Sequence, residues 1–450
     1  MGRKSRSRAL SLWMNGEHVG QWRIPTRGPM ELHYATSWVG SESGRPLSLS
    51  LPIPVGDRPI KGDVVANYFE NLLPESEPIR RRVAARFQLA STDAFELLSA
   101  LGRDCVGAVQ LLPEGDKPTK VHTIQGRPLK ASDIEDLLKQ TVAPTALARV
   151  AGDVEDDDAF RVSLAGMQEK TALLQHNGQW MLPHGSTPST HILKLPMGLV
   201  GGRKIDMSHS AENEWLCARL VAAFGLPIAR CEIGHFGDQK VLVVERFDRQ
   251  LHASGKWWMR LPQEDFCQVH GLPSLLKYES DGGPGLERLA GVLANSVNAK
   301  ADLETLLAAQ ILFWMLAATD GHAKNFSIRL LADGRYLLTP LYDVLSMWPV
   351  MGNGASQVSW HKAKLAMSVR GKSRHYALRS IQRRHFNAMA KTCLWGDSAE
   401  PIIERLLVAT PKVLASTSTG VPKGFPQIVL DRVLEGLRVS ADRLAAMPAT

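Results

Sequence analysis

Hydrophobic and polar positions along the first hundred residues predict a hairpin followed by helices. Apolar residues cluster at 10–14 and 19–24, on either side of Asn15-Gly16, a dipeptide typical of two-residue hairpin turns. Between residues 67 and 101 the apolar positions recur at roughly helical spacing among charged residues. This part of the chain therefore predicts a β-rich start within a mixed α/β subdomain.

A second group of short strands is predicted after an acidic run at residues 152–158, which has no periodicity and is typical of a solvated loop. Residues 160–164, 171–176 and 180–182 have the composition of strands, and Asn177-Gly178 would join the last two as a hairpin. We therefore expect a small antiparallel sheet that begins just beyond the acidic run.

A helix is predicted between two further strand segments, residues 191–194 and 241–244. Ser210 is a suitable N-cap for it, and Glu212 and Glu214 would lie in the first turn, where carboxylates interact favourably with the helix dipole. After these elements the pattern becomes predominantly helical.

Length and composition describe a soluble globular chain of more than one unit. The 450 residues exceed what one ordinary core holds, and 44% apolar with 22% charged residues is typical of proteins that bury a core. The longest apolar stretch, residues 306–318, is interrupted by Gln310 and falls short of the roughly 20 residues that span a bilayer. The basic N-terminus leads into no apolar secretion segment, so we expect a cytoplasmic protein without a membrane partner.

The positions of the cysteines and the net charge limit the kinds of site and partner that the chain can have. The five cysteines lie far apart without a Cys-x-x-Cys pair, which argues against a disulfide framework or a zinc site. A formal charge of +8 permits a polyanionic partner, although net charge bears on association rather than on fold.

The most informative segment combines a predicted helix, a polar loop, a hairpin and a second aspartate. A helix predicted from Asp302 leads into the loop 319–325, and a predicted hairpin then ends at Asp343. Phosphoryl transfer needs a carboxylate that accepts the hydroxyl proton, an Asn that holds Mg²⁺ and an Asp that bridges the metal to the phosphates. Asp320, Asn325 and Asp343 fit these roles, with the kinase spacing between the first two. The structural alternative is an Asp that caps a turn and an Asn in a left-handed conformation.

Lys194 is the candidate for a lysine that pairs with phosphates, because it ends the apolar run 191–194 ahead of the predicted helix. Either Glu212 or Glu214 could be its partner. Taken alone, a lysine at a strand end is more often one that snorkels to solvent.

The segment Glu245, Arg246 and Phe247 lies where a two-lobed kinase would cross from sheet to helices, so it could contact adenine. The alternative for Glu245 and Arg246 is a surface ion pair.

The phosphate-binding loop departs from the ordinary kinase pattern, since no Gly-x-Gly-x-x-Gly occurs at the expected place. The candidate loop lies where two predicted strands meet, and its small residues would let backbone N–H groups approach phosphate oxygens. The alternative is a tight β-turn. The loop consists of Ser163, Leu164, Ala165, Gly166, Met167, Gln168, Glu169 and Lys170.

Together these segments resemble the HipA family of serine/threonine protein kinase toxins, the toxin half of bacterial toxin–antitoxin pairs. The resemblance rests first on the segments 163–174, 244–249, 319–327 and 338–343. It extends over most of the chain through 45–52, 70–74, 102–104, 260–265 and 277–285. Two positions depart from the family pattern, since Met167 stands where a smaller residue is expected and Leu164 where Ile is expected.

The resemblance implies roles for the candidate residues, with ATP and Mg²⁺ as cofactors. Asp320 would be the catalytic base, Lys194 the phosphate-pairing lysine, and Asn325 and Asp343 the Mg²⁺ ligands. Glu245 and Phe247 would contact adenine. The full ATP site would comprise Ala165, Gly166, Met167, Gln168, Glu169, Lys170, Lys194, Glu245, Arg246, Phe247, His322, Ala323, Lys324, Asn325, Tyr342 and Asp343.

The resemblance also implies a fold, a regulation and partners. The fold would be α+β and two-lobed like a protein kinase, with an N-terminal subdomain (1–118), a mixed α/β lobe with the phosphate loop (119–247) and a mainly helical lobe (248–450). Autophosphorylation of Ser163 would expel the phosphate loop and stop ATP binding; the alternative is a strand-end hydroxyl without a regulatory part. The implied partners are a dimeric HipB-like helix-turn-helix antitoxin, operator DNA and, as protein substrate, glutamyl-tRNA synthetase, whose phosphorylation would halt translation and promote dormancy or persistence.

A basic run in the last third of the chain could meet DNA phosphates in a repressor complex, or it could be a solvated basic face. It contains Arg370, Lys372, Arg374, His375, Arg379, Arg383, Arg384 and His385. Two other classes of function stay open: a DNA-binding corepressor with a vestigial kinase site, and a small-molecule kinase with the same ATP machinery. The presence of Asp320, Asn325 and Asp343 argues against the first, and phosphate transfer to protein would exclude the second.

Overall fold

The computed structural model describes residues 7–142 and 164–449, which form two compact units. The first unit comprises Met1–Leu195, Gly234–Ser274 and Ile328–Tyr336, and the second comprises Pro196–Ile233, Leu275–Ser327 and Leu337–Thr450. The acidic run 152–158, most of the predicted strand 160–164, and Ser163 lie outside the described residues.

Both units combine strands and helices. The strands are β1 (Arg8–Met14), β2 (Glu17–Ile24), β3 (Glu31–Tyr34), β4 (Ile60–Lys61), β5 (Val109–Pro113), β6 (Gly126–Pro128), β7 (Lys170–His176), β8 (Gln179–Pro183), β9 (His191–Lys194), β10 (Gly198–Val200), β11 (Ile205–Met207), β12 (Cys231–Phe236), β13 (Gln239–Glu245), β14 (Arg249–Leu251), β15 (Trp258–Arg260), β16 (Gln263–Asp265), β17 (Ser327–Leu330), β18 (Tyr336–Leu338), β19 (Lys364–Arg370) and β20 (Arg374–Ala377). The helices are α1 (Thr36–Val39), α2 (Asp63–Glu70), α3 (Glu77–Arg86), α4 (Ala94–Leu101), α5 (Ala131–Val142), α6 (Ser210–Ala223), α7 (Phe266–Val269), α8 (Leu286–Leu293), α9 (Ala299–Met315), α10 (Arg383–Thr392), α11 (Glu400–Ser418) and α12 (Gln427–Ala446).

The first unit begins with a five-stranded sheet in the order β4-β3-β2-β1-β5. The predicted hairpin at Asn15-Gly16 is confirmed, because β1 and β2 pair antiparallel across it. Helices α2 and α4 cover the sheet, and the rings of Trp22 and Phe69 stack with centroids 4.0 Å apart in the core. An aromatic pair of this kind adds specific geometry to the burial of apolar area, which holds helices and sheet together.

A six-stranded sheet in the order β12-β13-β9-β7-β8-β6 follows. Its predicted hairpin at Asn177-Gly178 is confirmed by the pairing of β7 with β8. The sheet has its own hydrophobic cluster, which runs from Leu129 to Val243, whereas the cluster of the preceding sheet ends at Leu111. The predicted boundary at residue 118 falls between the two clusters, and the division into three domains stays a prediction.

The second unit is mainly helical and is built around α9. The predicted start at Asp302 is close to the observed start at Ala299, and the residues from Leu306 to Met315 are all buried. In α6, Ser210 is not the N-cap as predicted: the cap position is His209, and Ser210 Oγ accepts a hydrogen bond from Met197 N instead. Over the described residues, no helix has both the length and the apolar character that crossing a membrane requires.

Candidate active site

The loop that carries Asp320 begins where α9 ends in the second unit. Ala317 adopts a left-handed conformation with φ +48°, and Ala318 N donates to Phe313 O at 2.8 Å, which closes the helix. Gly321 then packs against Phe313, and a Cβ atom at position 321 would lie 2.6 Å from the ring. The loop therefore passes the helix at a distance that only glycine permits without a shift of the ring.

Hydrogen bonds to one main-chain oxygen bring Asp320 and Asn325 together. His322 N and Asn325 Nδ2 both donate to Asp320 O, at 2.8 and 2.9 Å. Residues Ala323–Asn325 form a 3-10 turn, so Asn325 is not in the left-handed conformation of the structural alternative. The side-chain amide nitrogen is used within the loop, which leaves the amide oxygen of Asn325 as the atom suited to a cation.

The carboxylate of Asp320 is 64% exposed, and its two oxygens have different neighbours. Tyr278 Oη donates to Oδ1 at 2.6 Å, while His322 Nε2 lies 4.0 Å from Oδ2. Sequence reasoning gave Tyr278 no role beyond its place in a matching segment. The contact joins residues 42 positions apart, and no local pattern indicates it.

Asp343 follows a segment that is anchored on both sides. Leu341 N donates to Pro227 O at 2.9 Å, and Leu341 O accepts from Ala229 N at 2.8 Å. Tyr342 Oη donates to Lys324 O at 2.7 Å, which ties the residue before Asp343 to the catalytic loop. Asp343 itself has φ +60°, a conformation that costs a non-glycine residue on the order of 1 kcal/mol and that is common at functional sites.

The structure thus brings seven predicted residues together in the second unit, namely Asp320, His322, Ala323, Lys324, Asn325, Tyr342 and Asp343. Glu212 and Glu214 are also in this unit, buried on α6. Their predicted pairing with Lys194 stays a prediction.

Lys194 lies in the interior of the six-stranded sheet of the first unit. It is paired with Lys170 of β7 on one side and with Leu242 of β13 on the other. Only 8% of it is exposed, so it is not the solvent-reaching lysine of the alternative interpretation.

The predicted adenine segment splits into exposed and buried residues. Glu245 ends β13 and is exposed, whereas Arg246 is buried and does not form a surface ion pair with it. Arg246 donates to Asp248 Oδ2 at 2.8 Å and to Ser189 Oγ at 3.0 Å. Burial by itself lowers the pKa of Arg246, but Asp248 and Asp104 outweigh it and raise that pKa above its ordinary value. The guanidinium is therefore held inside the first unit by a network of opposite charges.

The candidate phosphate loop is described from Leu164 onward. Gly166 has φ +104°, its carbonyl accepts from Glu75 N at 3.0 Å, and Lys170 Nζ donates to Ala165 O. Gln168 Nε2 donates to Leu195 O at 2.6 Å, beside the end of β9. Glu169 forms an ion pair with Arg82, and Met167 is exposed. These polar contacts hold the loop beside the end of β9 and against α3. Ser163, the predicted site of autophosphorylation, lies outside the described residues.

The basic run does not present all of its cations to solvent. Arg379 and Arg384 are exposed, and Arg374 is 56% exposed beside Glu279. Arg383, in contrast, is buried in an ion-pair network with Glu400 and Glu404, so it does not share the exposed face.

The two histidines of the run add no charge at neutral pH. The rings of His375 and His385 stack with centroids 3.8 Å apart. Burial, His375 and Arg384 lower the pKa of His385 to about 4, and burial and Arg384 lower that of His375. The positive charge of the run therefore comes from lysine and arginine.

Comparison with known proteins shows the family to which the chain is similar. A model of the HipA N-terminal domain matches residues 10–112, and a model of the HipA-like C-terminal domain matches residues 162–414. A candidate kinase of Sinorhizobium fredii, Y4mE, is 36% identical over 343 residues, which cover 75% of this chain and 77% of that protein. The serine/threonine-protein kinase toxin HipA of Shewanella oneidensis is 28% identical over 360 residues, or 76% of each chain.

A solved structure shows the fold. The complex of Shewanella oneidensis HipA with HipB and its operator DNA contains a chain that matches with a TM-score of 0.76 and 23% identity, over 97% of both chains. The predicted α+β, kinase-like fold is confirmed by this match. The resemblance to the family is confirmed by the two family models and by the relative from Sinorhizobium fredii.

Proposed function

Because the chain belongs to the HipA family, we propose that it is an ATP- and Mg²⁺-dependent serine/threonine protein kinase that acts as the toxin of a toxin–antitoxin pair. The observation that carries this proposal is the loop in which His322 and Asn325 both bind the main-chain oxygen of Asp320. The loop holds the exposed carboxylate of Asp320 close to the amide of Asn325, and these are the two groups that a kinase catalytic loop supplies for phosphoryl transfer.

In the proposed reaction Asp320 accepts the proton of a serine or threonine hydroxyl. A general base within hydrogen-bond reach of the proton it takes contributes roughly 10²- to 10⁴-fold to the rate. The exposure of the carboxylate suits this role, since a protein substrate must reach it from solvent.

Asn325 and Asp343 fit a magnesium ion by the chemistry of their donors. Both offer oxygen atoms, and Mg²⁺ is usually bound by one or two protein groups together with substrate phosphates and water. Among the described residues no group of three or more His, Cys, Asp and Glu side chains is arranged to hold a metal. The ion would neutralise charge on the transferring phosphate.

The remaining predicted residues would bind the nucleotide. We propose that Lys194 and the main chain of Ala165, Gly166, Met167 and Gln168 meet phosphates, with Glu169 and Lys170 in the same loop. Glu245 and Phe247, next to Arg246, would contact adenine. His322, Ala323, Lys324 and Tyr342, which lie in or next to the catalytic loop, are also proposed to contact the nucleotide.

Regulation and partners follow the family. We propose that Ser163 is autophosphorylated, which would remove the loop from the ATP site because a dianionic phosphate is repelled by the carboxylates that hold Mg²⁺. The complex solved for the Shewanella oneidensis protein contains HipB and operator DNA. A HipB-like antitoxin dimer and operator DNA are therefore the proposed partners here, and glutamyl-tRNA synthetase is the proposed substrate.

Transfer of labelled γ-phosphate tests the proposal. Wild type should label glutamyl-tRNA synthetase and Ser163 in the presence of Mg-ATP, and Asp320→Asn should label neither. Asp333→Asn is a matched control, because Asp333 is an exposed carboxylate in a hairpin turn. This variant should transfer phosphate like wild type. Wild type that bound antitoxin and operator DNA but labelled no protein would favour the corepressor function, for which Arg374, Arg379 and Arg384 offer an exposed basic face.

A further inference from the structure

Tyr278 is held so that its hydroxyl meets the carboxylate of Asp320. The hydroxyl donates to Asp320 Oδ1 at 2.6 Å, and the ring lies edge-on to His322 with centroids 5.1 Å apart. Lys277 Nζ lies 5.4 Å from the centre of the same ring. A cation and an imidazole that contact one tyrosine ring restrict its rotation, so the direction of the hydroxyl is fixed by its surroundings.

A cavity of about 450 Å³ opens beside this hydrogen bond, entirely within the second unit. Tyr278 and Thr319 form part of its wall, and Thr319 directly precedes Asp320. Leu365 and Ala366 of β19 supply apolar surface, and Ser280 lies at an exposed part of the lining. Tyr376 and the charged residues Glu279, Lys364 and Arg374 form the rest of the wall. A concave site that combines apolar, hydroxyl and charged groups has room for the side chains of an extended peptide segment.

We propose that Tyr278 is a positioning residue for phosphoryl transfer and that the cavity it lines receives the protein segment that carries the acceptor hydroxyl. This inference rests on the proposed kinase function. Asp320 is 64% exposed, so packing alone does not fix its side chain, and the hydrogen bond from Tyr278 supplies that restraint. Because Oδ1 accepts from Tyr278, the proposal assigns the proton of the acceptor hydroxyl to Oδ2, which lies 4.0 Å from His322 Nε2.

The proposed chemical step is one proton transfer together with the formation of one bond and the breaking of another. The acceptor hydroxyl gives its proton to Asp320 Oδ2 while its oxygen forms a bond to the γ-phosphorus of ATP. The bond between that phosphorus and the β,γ-bridging oxygen breaks, and its electron pair leaves with ADP. Tyr278 keeps its own proton throughout, and its effect comes from the orientation of the carboxylate, to which such reactions are sensitive.

Tyr278→Phe removes the hydroxyl but keeps the ring and its packing. We expect kcat for phosphate transfer to glutamyl-tRNA synthetase to fall about tenfold or more, with the affinity for Mg-ATP unchanged. Tyr34→Phe is a matched control, since it removes a hydroxyl that donates at the same 2.6 Å to Leu51 O in the first unit. It should lower the midpoint of unfolding without a change in kcat.

Ser280→Trp tests the cavity. It should raise KM for the synthetase by narrowing the cavity, again without a change in Mg-ATP affinity.

Each outcome decides a different statement. Wild-type kcat in Tyr278→Phe, or a loss confined to Mg-ATP affinity, would overturn the positioning role while leaving the kinase function intact. An unchanged KM in Ser280→Trp would overturn the cavity as the acceptor site. Wild type that transferred no phosphate would overturn the proposed function and this inference together.

Discussion

Asn213 and Ser346 form a closed pair of hydrogen bonds in the buried part of the second unit. Asn213 Nδ2 donates to Ser346 O at 2.7 Å, and Ser346 N donates to Asn213 Oδ1 at 3.1 Å. Helix α6 thereby holds the main chain three residues beyond Asp343. The main chain near the proposed metal ligand is therefore tied to a side chain of another element, α6.

Asn213→Ala should lower both stability and the response to Mg²⁺. It leaves a buried N–H and a buried C=O without their partners, which costs roughly 2–4 kcal/mol for the two groups. Denaturant unfolding and a Mg²⁺ titration of phosphate transfer measure the two effects. Asn295→Ala, which changes an exposed asparagine of the same unit, should alter neither. If Asn213→Ala were destabilised but kept the wild-type Mg²⁺ requirement, the hydrogen bonds between Asn213 and Ser346 would not be what positions Asp343.

Gly321→Ala should disturb the catalytic loop, because the new Cβ would lie 2.6 Å from the ring of Phe313. We expect reduced phosphate transfer and a lower unfolding midpoint, with partial recovery in the double variant Gly321→Ala with Phe313→Leu. Gly291→Ala is the control, since no atom lies within 4 Å of its Cβ position on α8. That change should stabilise the helix by about 0.5–1 kcal/mol. Full activity in Gly321→Ala alone would contradict the steric argument.

Local chemistry predicted the turns of the fold, and the contacts that span many residues required the structure. Asn15 and Asn177 have φ +48° and +50°, as the Asn-Gly turn signal demands. Ala317 adopts φ +48° without a glycine or asparagine to indicate it, because tertiary packing imposes the conformation. The burial of Arg246 is not indicated by the sequence either, because its partners Ser189 and Asp104 are distant along the chain and only Asp248 is a local partner.

Glu264→Gln should reduce the loss of stability between pH 5 and pH 8. Burial raises the pKa of Glu264 to about 8 in the folded protein, and Oε1 accepts from Leu49 N at 2.8 Å. The unfolded chain releases this proton near pH 4.5, so stability is full below that pH and is lost as pH rises through about 8. The loss amounts to about 5 kcal/mol at most. The unfolding free energy of wild type minus that of Glu264→Gln should therefore fall as pH rises across this range, whereas the difference between wild type and the exposed control Glu435→Gln should stay constant. Parallel curves for all three would contradict a buried, neutral Glu264.

The exposed cations Arg379 and Arg384 should contribute to operator binding by the antitoxin complex, whereas Arg383 should not. Each phosphate contact releases condensed counterions, so loss of two contacts lowers the slope of log affinity against log salt by about two. The double variant Arg379→Ala with Arg384→Ala, assembled with the antitoxin, should show that change in a fluorescence anisotropy titration at several salt concentrations. Lys412→Ala with Arg432→Ala removes the same charge from exposed positions on α11 and α12 and should leave the slope unchanged.

Arg383→Ala should lower the stability of the protein instead, because Glu400 and Glu404 lose a buried partner. Equal slopes for the two double variants would mean that the basic run acts only through net charge.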